Sequence, residues 1–68
     1  MTVEVNGRSV ELADGAALSE AVTAAGTATD ARGVAVAVDG EVVPRSVWES
    51  TTLRDGQKVE VVGAIQGG

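Results

Sequence analysis

The sequence of 68 residues predicts an α+β domain in which a mixed sheet of about five strands carries one main helix on one face. Three observations carry that prediction. Two segments of alternating polar and apolar residues flank Asn6-Gly7, a helical apolar period replaces the alternation from Ala17, and three further short extended segments follow, punctuated by Asp39-Gly40 and Asp55-Gly56. Elements in this order bury one shared core only if the helix lies across one face of the sheet and the last strand adds beside the first.

Thr2 to Asn6 alternates, and Arg8 to Leu12 alternates again after the Asn6-Gly7 step. Asn-Gly accepts the positive φ angles of a type I′ turn, so the two segments form a hairpin. Leu18, Ala21, Val22 and Ala25 follow the i, i+3, i+4, i+7 spacing of one helix face. Gly26 then stands where a left-handed cap ends the helix. The start is less well marked: Asp14 is a candidate N-cap that lies early, and Ala16 or Ala17 would cap poorly, so a frayed first turn is expected.

Residues 27–33 carry Thr, Ala, Asp, Arg and Gly without a period and read as a loop. Val34 to Val38 places valines on one strand face and alanines on the other. Asp39-Gly40 turns the chain into Glu41-Val42-Val43, which Pro44 ends by withholding a backbone donor. Arg45 to Thr52 crosses the domain, with Trp48 and Leu53 as plugs at the edge of the core. After Asp55-Gly56, Lys58 to Val62 forms the last strand. The expected organisation is a folded domain over residues 1–63 and a flexible C-terminal tail over residues 64–68.

Composition narrows the function classes. A chain of this length sits near the lower limit for a single apolar core, which favours a binding module, carrier or subunit over an enzyme with a walled cleft. Cysteine and histidine are absent, which removes the thiol nucleophile, the neutral-pH proton shuttle and the usual soft metal ligands. No disulfide framework can form, in keeping with a reducing cytoplasm. Neither a membrane span nor a signal-peptide core is visible, so a soluble, N-terminally unprocessed protein is expected. A formal charge of −5 without a basic patch argues against nucleic acid. A basic protein surface is a better complement, although negative charge also serves plain solubility.

The most informative feature is the end of the chain. Gly67-Gly68 follows an apolar extended segment, and neither glycine carries a Cβ that would obstruct passage through a narrow channel. The carboxylate of Gly68 is therefore the candidate reactive group, presented on Gly67 and Gln66. Against this stands a frayed terminus, which glycine also suits. Strand alternation turns Val36, Val38, Val59 and Val61 inward and Ala35, Ala37, Glu60 and Val62 outward. Val62, with Ala64 and Ile65 leading into the tail, forms a candidate partner interface.

Other residues read more plainly. Pro44 and Arg45 are a strand stop followed by a solvated or locally paired charge, or else a partner contact. Trp48, the single aromatic residue, is core cover or an interface anchor. Asp14, Asp39 and Asp55 each precede glycine and read as turn residues, not as acid–base carboxylates.

Val42-Val43-Pro44-Arg45, Trp48, Leu53, Asp55-Gly56, Val59-Glu60-Val61 and Gly67-Gly68, together with Val36-Ala37-Val38 and the first hairpin, resemble the ThiS family, the bacterial sulfur carriers of thiamine biosynthesis. The resemblance covers nearly the whole chain. Gln57 stands where the family often has a third acidic or polar turn residue, and the helix lacks the usual threonine or serine cap. Both departures concern local stability.

The resemblance implies a β-grasp, ubiquitin-like fold and a role without catalytic side chains. An E1-like adenylyltransferase of the ThiF type would join the Gly68 carboxylate to AMP using ATP, and the carrier itself would bind no cofactor. Sulfur drawn from cysteine by a desulfurase would then give a thiocarboxylate on Gly68, delivered to a thiazole synthase of the ThiG type. Two rivals remain at this point: another Gly-Gly carrier, such as the small subunit of molybdopterin synthase or a carrier for cysteine synthesis, and a ubiquitin-like modifier or plain interaction domain. The short chain and the Val-Pro-Arg and tryptophan pattern weigh against the first.

Overall fold

A computed structural model describes residues 1–26 and 33–63. Thr2–Val5 (β1) and Arg8–Glu11 (β2) pair antiparallel, with Val3 opposite Val10 and Val5 opposite Arg8. The turn between them holds Asn6 at φ 50° and Gly7 at φ 81°, the two positive angles that the Asn-Gly step was expected to supply. Leu18–Ala24 forms the helix α1, and Gly26 follows it at φ 84° with its N–H on the Thr23 carbonyl at 2.9 Å. A left-handed glycine therefore closes the helix as its position predicts.

The second half begins with Val34–Val38 (β3) and Glu41–Val42 (β4), joined by Asp39 at φ 50° and Gly40 at φ 84°. Pairing continues one bond past β4, because the Val43 N–H donates to the Val36 carbonyl at 2.8 Å. Pro44 then stops the strand and caps a 3-10 helix over Arg45–Ser50. Lys58–Gly63 (β5) completes the sheet in the order β2-β1-β5-β3-β4. β5 runs parallel to β1 and antiparallel to β3, so the last strand is also the central one. One helix on one face of this mixed sheet is the β-grasp arrangement.

The core lies between that face and the helix. Leu18, Ala21 and Val22 from α1 meet Val3, Val36 and Val59 from the sheet, all with at most 1% of their surface exposed. Trp48 and Leu53 seal the edge, each 2% exposed, as the crossing segment was expected to do. Deep burial of so few aliphatic side chains is sufficient because no buried polar or charged residue, among those described, has to be compensated.

The helix start departs from expectation. Ala17 is the N-cap and has no side-chain oxygen to offer, yet the first turn is tied down. The Leu18 N–H donates to the Thr51 carbonyl at 2.8 Å, the Leu53 N–H donates to the Ala16 carbonyl at 2.9 Å, and the Glu20 carboxylate accepts the Ala17 N–H at 3.1 Å. Backbone from the crossing segment thus serves in place of a cap. Asp14 is not the cap; its carboxylate lies 3.2 Å from the Met1 ammonium, which also donates to the Leu12 carbonyl at 2.8 Å. The loop expected at 27–33 falls almost wholly outside the described residues, as does the tail at 64–68.

Candidate functional site

The described chain ends with β5, the strand that leads to the candidate residues 64–68, and hydrogen bonds hold it from both sides. At its start, the Asp39 N–H donates to the Lys58 carbonyl at 2.8 Å, while the Asp39 carboxylate accepts the Lys58 N–H at 3.0 Å and the Gln57 side-chain amide at 3.2 Å. These bonds favour the ionised carboxylate, so the Asp39 pKa is lowered from its ordinary value of 3.8, the Lys58 N–H being the largest cause. Gln57 in turn accepts the Arg54 N–H at 2.7 Å and so closes the last turn. On the β1 side, the Glu4 N–H donates to the Gln57 carbonyl and the Asn6 N–H to the Val59 carbonyl, both at 2.9 Å.

The outward face of the sheet beside this strand is apolar at one end and charged at the other. Register places Ala35 opposite Val62 and Ala37 between Glu60 and Val42. Val62 is 65% exposed and Val42 is 72% exposed, the largest values for bulky apolar side chains among the described residues. Lys58 and Glu4 lie opposite each other farther along the same face. Val36, Val59 and Val61 are buried on the helix side, so the inward and outward sets fall as strand alternation predicts.

Val42 went unassigned in the sequence reading, although its signal was present. A two-residue Asp39-Gly40 turn pairs Val38 with Glu41 and Ala37 with Val42, which puts Val42 on the outward face. Of the candidate site residues, Val62 alone is described, and it is exposed near the end of β5. Ala64, Ile65, Gln66, Gly67 and Gly68 lie outside the described residues.

The remaining residues take structural parts. Trp48 donates its indole N–H to the Val43 carbonyl at 2.9 Å, and the Arg45 guanidinium stands over its ring, 5.7 Å from the centroid. The tryptophan is core cover and the arginine a locally engaged charge. Asp55 accepts the Thr2 N–H at 2.7 Å and so fastens the final turn to β1. Among the described residues no three carboxylates, histidines or cysteines gather as a metal site would need, and no helix is long and apolar enough to cross a membrane. The arrangement offers a firmly held strand end beside a shallow apolar face.

A model of the ThiS family matches residues 3–68 of this chain. Two solved structures of a thiamine biosynthesis protein from Geobacter metallireducens resemble it over its full length. The crystal structure, of ThiS, is 33% identical over 100% of both chains with a TM-score of 0.76. The solution NMR structure is 34% identical, with a TM-score of 0.77, over 100% of this chain and 88% of the other. No curated protein matches the chain significantly.

Proposed function

Because this chain belongs to the ThiS family, we propose that it is the sulfur carrier of thiamine biosynthesis, working through a thiocarboxylate at Gly68. The observation that carries the reading is that the family match extends through Gly68, so the terminal Gly-Gly belongs to the shared pattern and not to an unrelated appendage. The reading is supported by strand order, since residues 64–68 follow directly on β5, the central strand of the sheet. An anchored root with a side-chain-poor end lets a partner bind the domain and receive only the reactive group.

A carboxylate is a poor acyl donor, since its charge repels nucleophiles and oxide is a poor leaving group. In the proposed sequence a Gly68 carboxylate oxygen attacks the α-phosphorus of ATP and pyrophosphate departs, leaving a mixed anhydride with AMP. A persulfide sulfur that derives from cysteine through a desulfurase attacks the carbonyl carbon and expels AMP; reductive cleavage of the resulting acyl disulfide by a thiol leaves the thiocarboxylate. Thiazole synthase then receives the sulfur. All catalysis belongs to the partners, an E1-like adenylyltransferase of the ThiF type and a ThiG-type synthase. The carrier acts as a cytoplasmic co-substrate, consistent with a chain that has neither cysteine nor histidine.

Val62 on the outward face, together with Ala64 and Ile65 next along the chain, is the proposed docking surface for the activating enzyme. A partner that takes in the tail must cover the surface behind it, and Val62 with Val42 supplies apolar area there. ATP–pyrophosphate exchange with the cognate adenylyltransferase tests the central claim. The native chain should support exchange, whereas deleting Gly68 or appending one residue should abolish it with the melting temperature unchanged. Normal exchange by the extended chain would refute activation at Gly68. Intact mass separates the rivals, because a sulfur-for-oxygen replacement at the last residue marks a carrier and an isopeptide adduct on lysine marks a modifier.

A further inference from the structure

We infer that Asn6 is a positioning residue for the tail: its side-chain amide takes the place of a missing strand and fixes the direction in which the chain leaves the domain at Val62 and Gly63. The inference rests on the function proposed for Gly68.

Sheet register shows why such a device is needed. Val59 and Val61 sit in the non-hydrogen-bonded positions opposite β3, since the neighbouring Lys58 carbonyl is the one that accepts from Asp39. The N–H and C=O of Val59 and Val61 therefore point toward β1. β1 serves this edge in steps of two residues: the Glu4 N–H bonds the Gln57 carbonyl and the Asn6 N–H bonds the Val59 carbonyl. The next rung would use the backbone beyond Asn6, but there the chain has already turned into β2.

The Asn6 side chain completes that rung. Its Oδ1 accepts the Val61 N–H at 2.8 Å, and its Nδ2 donates to the Val61 carbonyl at 3.2 Å. One primary amide thus satisfies both backbone groups of a residue 55 positions away. Without it, β5 beyond Val59 would be held from the β3 side alone. A strand held on one edge can swing about that edge, and the tail would then start from a range of directions.

Three variants test this. Asn6→Gly keeps the positive φ of the turn and removes only the amide. Gly7→Ala is the stability control: a Cβ there meets nothing within 4 Å but must adopt φ 81°, so the turn is strained while the Asn6 amide remains. Asn6→Asp tolerates the same φ and keeps the acceptor but loses the donor. In the isolated protein, Asn6→Gly should raise the hydrogen-exchange rate of the Val61 amide about tenfold or more relative to that of Val59, and Gly7→Ala should leave the ratio unchanged. In the exchange assay with the adenylyltransferase, Asn6→Gly should raise the KM for the carrier about tenfold and leave kcat within about twofold, with Asn6→Asp in between and Gly7→Ala near the native value.

A Val61 amide equally protected without the Asn6 side chain would overturn the inference, as would a KM that follows stability across all three variants. If the native chain supports no pyrophosphate exchange, the proposed function fails instead, and the Val61 exchange rate alone decides what Asn6 holds.

Discussion

Replacing Val62 with arginine separates docking from folding on a single strand. Val62 is 65% exposed, so the folded domain gains little from its side chain, and the substitution should change stability by less than about 0.5 kcal/mol. Burying a valine fully is worth about 1.5–3 kcal/mol, and roughly two-thirds of that remains for a partner to collect at this exposure. Adding a charge that must be desolvated against the partner brings the expected loss to about 1–3 kcal/mol, or about 5- to 150-fold in Kd. Three positions earlier in the strand, the opposite result is expected. Val59 is 1% exposed, and Val59→Ala removes two buried methyl groups at a cost of about 2–3 kcal/mol, a fall of roughly 10–20 °C in Tm for a domain of this size. Titration calorimetry against the activating enzyme, paired with thermal melts, reads both variants. Unaltered affinity for Val62→Arg would reject this face as the docking surface, and a collapse of its melting temperature would show that Val62 packs inside the domain.

Two further outcomes follow from the tail and the final turn. Gly67→Val adds a β-branched side chain that restricts the backbone and widens the thread, so adenylylation and sulfur transfer should be largely lost while Tm stays unchanged; equal losses in both would place Gly67 in the packed domain. Because the native pKa of Asp39 is lowered, its ionised form contributes stability above the ordinary carboxylate value of 3.8, and that contribution disappears as pH falls through the lower native value. Asn at this position keeps the tolerance for positive φ, so the Tm of Asp39→Asn should lie below the native one at neutral pH and the gap should close on acidification into that range; a gap independent of pH would remove the charge from the explanation.

The sequence by itself determined the fold class and much of the functional reading. Alternation, helical period and turn dipeptides are local signals: Asn6-Gly7 and Asp39-Gly40 require positive φ whatever surrounds them, and both turns carry it. Inward and outward faces follow from the same period-two geometry, which is why Val62 and Ala35 fell on the exposed side and Val36 and Val59 in the core. The terminal Gly-Gly is likewise legible as a candidate, because the chemistry proposed for it depends on the absence of side chains.

Tertiary structure decided what depends on residues distant in sequence. The helix start lacked a capping side chain in the sequence, and only folding brings the carbonyl of Thr51 to the N–H of Leu18. Asp14 has the right residue type for an N-cap, yet its carboxylate accepts from the Met1 ammonium and Ala17 takes the N-cap position. Asn6 reads as a turn residue and nothing more until β5 is laid beside β1; then its amide meets Val61 across 55 positions of chain. A local pattern can specify a backbone angle, but which orphaned backbone group a side chain will satisfy is fixed only when the sheet assembles and leaves that group exposed.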